Sequence, residues 1–173
     1  MLFLAVMVST VLWQVVSSAV LVRVVDPMFA PNLALMWVVV LADRVPSTPA
    51  REGDFWISGL SLSVLLGYVL DLSYVAPRGL YMSVYGATFV LLRLGTNKLA
   101  QGGFVKLVLA VGLSSFVIDV VIWWIKGMIT GFATVVSFSP LVFAIAALTN
   151  GLIGSLIVPL ISAPFDERNE GFR

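Results

Sequence analysis

FVKLVLAVGLSSFVIDVVIWWI, residues 104–125, decides the fold class. Its only charged residues are Lys106, near the start, and Asp119. A hydrocarbon core about 30 Å thick needs roughly 20 apolar residues in a helix rising about 1.5 Å per residue. This stretch meets that need and predicts a transmembrane helix. Working outward, residues 1–22, 55–76 and 137–161 reach a similar length. Residues 79–94 reach only about 24 Å, so that helix needs snorkelling ends or a thinned bilayer. Residues 31–42 form the doubtful segment. Asp26-Pro27 before it offers a cap and a first-turn proline, but Pro31 would then disturb the helix, which predicts a short or broken element. The start Met1-Leu2-Phe3 has no basic stretch of the kind that precedes a cleaved leader, so the first segment is expected to remain as a span.

The expected fold is an all-α membrane protein. It is a compact bundle of about six transmembrane helices, the second short or broken, in one domain over residues 1–165, with a short cytoplasmic tail at 166–173. The composition agrees: 60% of the 173 residues are hydrophobic, 11% are charged and the mean hydropathy is +1.07. That is more apolar surface than a soluble fold can cover.

Charge and residue types exclude several functions. A net charge of +1 with ten scattered Lys and Arg residues does not suit phosphate backbones, so nucleic acid is not an expected partner. The chain has no Cys and no His, which removes thiolate nucleophiles, imidazole bases, disulfides and the usual zinc, copper or haem ligands. It contains no HExxH, no GxSxG, no Gly-rich phosphate loop, and no Gly-x-Gly-Asp of the kind used by intramembrane aspartyl proteases. The expectation is a protein that is not an enzyme and carries no cofactor or metal. Two aspartates meeting from different helices would be the one route back to catalysis.

Loop charges set the orientation. With six spans, Arg44, Arg51, Arg93, Lys98, Lys106, Arg168 and Arg173 lie on one side and Arg23, Arg78 and Lys126 on the other, so both termini are cytoplasmic. With the short segment re-entrant, Arg23 changes sides and the amino terminus lies outside. Either way the carboxyl terminus is inside.

Gly59, Ser63, Gly67 and Asp71 stand four residues apart, a row of small side chains ending in an acid. Such a row lets another helix approach closely, either within the bundle or from a partner, a second copy of the chain included. Asp71 and Asp119 fall late in their helices near the outward basic residues. Either they fix local turns, Asp71 with Arg78 for instance, or they mark a partner site or polar pocket. Gln14 and Asn150 lie near the middles of their spans, where an amide seeks a partner on another helix. Trp123-Trp124 beside Lys126 has the makeup of an interfacial anchor.

The stretch GYVLDLSYVAPRGLY, residues 67–81, resembles the rod shape-determining protein MreD family, which carries a G-x3-D-x5-P-x-G-like pattern at this place. The early Pro31-Asn32-Leu33 resembles that family's proline-led second segment, although Tyr74-Val75 stand where family members often have small residues. In the motif Asp71 and Ser73 supply polar groups, Pro77 stops the helix and Gly79 permits a tight re-entry into the segment of Tyr81, with Arg78 in the turn. The resemblance implies a non-catalytic component of the bacterial inner membrane. It would bind the membrane-anchored protein MreC and, through it, cell-wall synthases and the actin-like cytoskeleton, and so help control cell shape and lateral peptidoglycan synthesis. The family's fold is similar to the six-helix substrate-binding subunit of energy-coupling-factor vitamin transporters, so the alternative expectation is a substrate-binding subunit of a small-molecule transporter.

Overall fold

A computed structural model describes residues 2–16, 32–43, 49–73, 77–95, 103–132 and 139–170. Among them are six helices: α1 (Leu2–Val16), α2 (Leu33–Asp43), α3 (Pro49–Ser73), α4 (Leu80–Gly95), α5 (Gly103–Thr130) and α6 (Pro140–Glu170). Prolines at the first positions of α3 and α6 cost nothing there, because the missing N–H would have no helical partner. Gly131, at φ +87°, closes the other end of α5 in the left-handed region, and Phe132 turns back onto Gly127 and the Trp123 ring.

Short α2 is the centre of the molecule. Nine successive residues, Ala34 to Ala42, are buried on every side, and all five other helices pack around them. Sequence explains this placement: LALMWVVVLA has no polar face to turn outward. At about 1.5 Å per residue its 11 residues reach only about 16 Å. Four of the other helices form two tight pairs. In α5 and α6, a Cβ on Gly112 would lie 3.1 Å from the Ala147 carbonyl oxygen and one on Gly151 would lie 2.6 Å from that of Val108. Backbone meets backbone there, as small residues permit. The second pair is the α3–α4 hairpin.

These dimensions correct the expected bundle of about six transmembrane helices like the transporter subunit. Among the described residues, two helices are long and apolar enough to cross a membrane, Gly103–Thr130 and Pro140–Ile161. Leu33–Asp43, Ser58–Ser73 and Leu80–Gly95 are shorter apolar helices. The physical reason differs for each. α2 is spent as core, α3 opens on polar PAREGD before its apolar part, and α4 runs for only 16 residues. The helix start expected from Asp26-Pro27 lies outside the described residues; α2 is instead capped by Asn32, whose Oδ1 accepts the Leu35 N–H at 3.0 Å.

The two long helices are not enclosed as core helices of a soluble protein would be. Only 28% of the apolar window of α5 and 44% of that of α6 is buried. Leu109, Leu113 and Val117 on α5, and Ile145, Leu148, Leu152 and Leu156 on α6, are exposed at helical spacing. Apolar rows of this length facing outward on helices of this length fit a membrane environment.

Candidate functional site: a carboxylate-held hairpin and a polar cluster

The row of small residues faces α4 of the same chain. Ser63 is fully buried and its Oγ donates to the Gly59 carbonyl at 2.8 Å. A Cβ on Gly59 would stand 2.6 Å from Cζ of Phe89, and one on Gly67 would collide with the backbone of Tyr81 and Met82. From the other side, Gly86 of α4 leaves room for Val64. Of the two expectations for this row, the geometry is that of packing within the bundle. The surface is occupied by α4 and is not presented to a partner helix.

Asp71 ends the row and starts the next helix. Its Oδ2 accepts the N–H of Gly79 at 3.0 Å and of Met82 at 3.3 Å, and its Oδ1 accepts the N–H of Tyr81 at 3.0 Å. The first N–H groups of a helix have no internal acceptor and carry the positive end of its dipole, so a carboxylate set against them is both hydrogen-bonded and charge-compensated. Local sequence makes this reachable. Pro77 takes the Leu80 N–H on its carbonyl at 3.2 Å, and Gly79, at φ +87°, folds the chain back. Asp71 therefore fixes the turn, but through backbone N–H groups, while Arg78 stands exposed in the turn. Ser73 is exposed and donates to the Val69 carbonyl at 2.9 Å. Tyr81 is half-buried, its ring centre 6.5 Å from that of Tyr85.

A second arrangement forms at the head of α2. Asn150 on α6 is buried; its Oδ1 accepts the Asn32 N–H at 2.8 Å and its Nδ2 donates to Ser115 Oγ on α5 at 2.9 Å. Ser115 donates in turn to Asp119 Oδ2 at 3.3 Å, and Asn32 Nδ2 donates to the Tyr85 hydroxyl at 2.6 Å. Groups on α4 and α6 thus converge on the residue that caps α2, and α5 joins them through Asn150. Asn150 was expected to bond across helices, and it does so. Asp119 joins that same cluster instead of an outer turn. Gln14 lies on α1, with its side chain outside what the structure describes.

Three residues of these sites were missed in the sequence. Asn32, just ahead of an apolar run, had a legible capping signal, and Ser115 stands one helical turn before Asp119. Tyr85 had no such signal. Arg93 was counted as a loop cation. It is buried in the last turn of α4, and its Nη1 donates to the Ala42 carbonyl at 3.1 Å, so it satisfies the end of α2 opposite to Asn32.

Chemically, both arrangements position backbone. Asp71 and Asp119 have separate partners, so the structure gives them no shared site. Among the described residues no three His, Cys, Asp or Glu side chains gather as they would to hold a metal ion. Comparison with protein-family models, with curated proteins and with solved structures finds no match for this chain.

Proposed function

We propose that the chain is a non-catalytic membrane scaffold of the bacterial cell-elongation machinery, of the kind that the MreD resemblance implies. In this reading it sits in the inner membrane through α5 and α6, keeps its carboxyl terminus in the cytoplasm, and binds an MreC-like membrane-anchored protein. Through that partner it acts on cell-wall synthases and the actin-like cytoskeleton. The observation that carries the reading is the behaviour of residues 67–81. Gly67, Asp71, Pro77 and Gly79, the residues on which the resemblance rests, each have a physical task in the α3–α4 hairpin: close approach, N-terminal capping, a turn hydrogen bond to Leu80 and reversal of the chain. A motif whose residues shape backbone suits a scaffold. The polar cluster at the head of α2 is bonded within itself, so no specific observation favours the transporter alternative.

The test is recovery of partners. The carboxyl-terminal tail would be tagged, the protein extracted from its host membrane in mild detergent, and co-purifying proteins identified by mass spectrometry. An MreC-like protein with cell-wall synthases is the expected result. ABC-type ATPases with a coupling subunit would sink the scaffold reading.

A further inference from the structure

The start of α4 and the end of α5 bring together side chains that the scaffold reading leaves unused. Lys126 places Nζ 5.7 Å from the centre of the Tyr81 ring. Tyr81 stands in the first turn of α4, three residues after exposed Arg78. Trp123 lies one helical turn before Lys126, its ring 5.3 Å from that of Phe132, and Trp124 beside it is exposed. Lys126 of α5 therefore meets Tyr81 of α4, and the chain sets Arg78 three residues before that tyrosine and Trp123-Trp124 just before that lysine.

Neither cation has a carboxylate partner among the described residues. The nearby acid of the hairpin, Asp71, is taken by three backbone N–H groups, and Asp119 accepts from Ser115. A cation on a membrane helix is costly unless it reaches an opposite charge or the headgroup layer, and Trp and Tyr collect at that layer. An anionic group in the headgroup layer would supply that opposite charge.

We propose that Arg78, Tyr81, Trp123 and Lys126 form a headgroup site for an anionic phospholipid at one face of the bilayer. This rests on the membrane-crossing reading of α5. The guanidinium can take two phosphate oxygens in its fork, while the ammonium supplies a point charge. The Tyr81 ring holds the ammonium in place by cation–π attraction. A lipid phosphate satisfies this set better than a peptide carboxylate would, because it already lies at the depth that the tryptophans mark.

The test uses the full chain reconstituted in phosphatidylcholine vesicles, with tryptophan fluorescence quenched by brominated phosphatidylglycerol or brominated phosphatidylcholine at equal mole fraction. The expected result is a preference for the anionic lipid on the order of fivefold, declining as salt is added. Arg78→Gln, at an exposed turn position, should reduce the preference, and Arg78→Gln with Lys126→Gln should abolish it while both lipids still quench. Equal quenching of the wild type by the two lipids overturns the site and leaves the membrane reading standing. A preference that survives in the double variant, or that inorganic phosphate removes at constant ionic strength, also overturns it. If neither lipid quenches, the membrane reading of α5 fails and the headgroup site fails with it.

Discussion

Asp71 serves three backbone N–H groups with one carboxylate, so its substitutions separate charge from hydrogen bonding. Asp71→Ala leaves those groups without their acceptor and should destabilise the protein by about 2–3 kcal/mol. Asp71→Asn keeps one acceptor oxygen and should cost about half as much. Thermal unfolding in detergent, followed by circular dichroism, would order the two variants; equal losses would mean that a neutral acceptor oxygen contributes nothing without the charge, and wild-type stability in Asp71→Asn would mean that the charge contributes nothing. Gly67→Ala pushes a methyl into the backbone of Tyr81 and Met82 and should cost about 1–3 kcal/mol. Gly95→Ala, with nothing within 4 Å of the added Cβ, should be neutral or slightly stabilising in the same assay. The motif residues were legible in the sequence because an acid, a proline and two glycines at fixed spacing have few other uses. That Asp71 would choose backbone over Arg78 was not legible, because it depends on how the chain folds back at Gly79.

At the scale of elements, α2 is held at both ends by other helices. Asn32 caps its start and is gripped by Asn150 and Tyr85, and Arg93 reaches the Ala42 carbonyl at its close. A double-mutant cycle of Asn150→Ala and Ser115→Ala measures the bond between α6 and α5. A coupling of about 0.5–1.5 kcal/mol is expected, since hydrogen bonds between membrane helices are seldom stronger. Additive effects would mean that the two residues act separately. Arg93→Met should destabilise by about 1–3 kcal/mol, because a buried carbonyl loses its donor, whereas Arg78→Met in the exposed turn should stay within about 0.5 kcal/mol. Unfolding by denaturing detergent would compare them, and equal effects would remove Arg93 from the clamp. In sequence Pro77 and Gly79 mark Arg78 as a turn residue, whereas nothing local tells that Arg93, at the end of an apolar segment, is buried.

At the scale of the whole molecule, α5 is about 42 Å long, more than a hydrocarbon core of about 30 Å requires, and its outward rows are apolar. The chain has no cysteine, so single cysteines report position without background. In intact vesicles, Leu113→Cys and Leu152→Cys should resist a membrane-impermeant maleimide until detergent is added, while Thr130→Cys at the end of α5 should react. Free reaction at position 113 before detergent would place α5 in water and remove the membrane-crossing role assigned to it. The same scale explains why the six-span expectation failed: hydropathy counts apolar residues without asking what covers them. The run at 31–42 looked like a weak span, yet it is the piece around which the rest is packed.

Sequence alone determined the helical class, the apolar length of α5 and α6, the close approach encoded by Gly59, Ser63 and Gly67, and the turn at Pro77 and Gly79. These follow from properties carried by single segments: helix rise, side-chain size and backbone freedom. Tertiary structure alone decided which apolar helix lies inside, that the small-residue row faces α4, and that Asn32, Tyr85, Ser115, Asp119 and Asn150 form one cluster. Those outcomes depend on groups as far apart as Asn32 and Asn150, separated by 118 residues. A short apolar helix satisfies itself equally well against lipid or against protein, so only the surrounding helices could settle where α2 belongs.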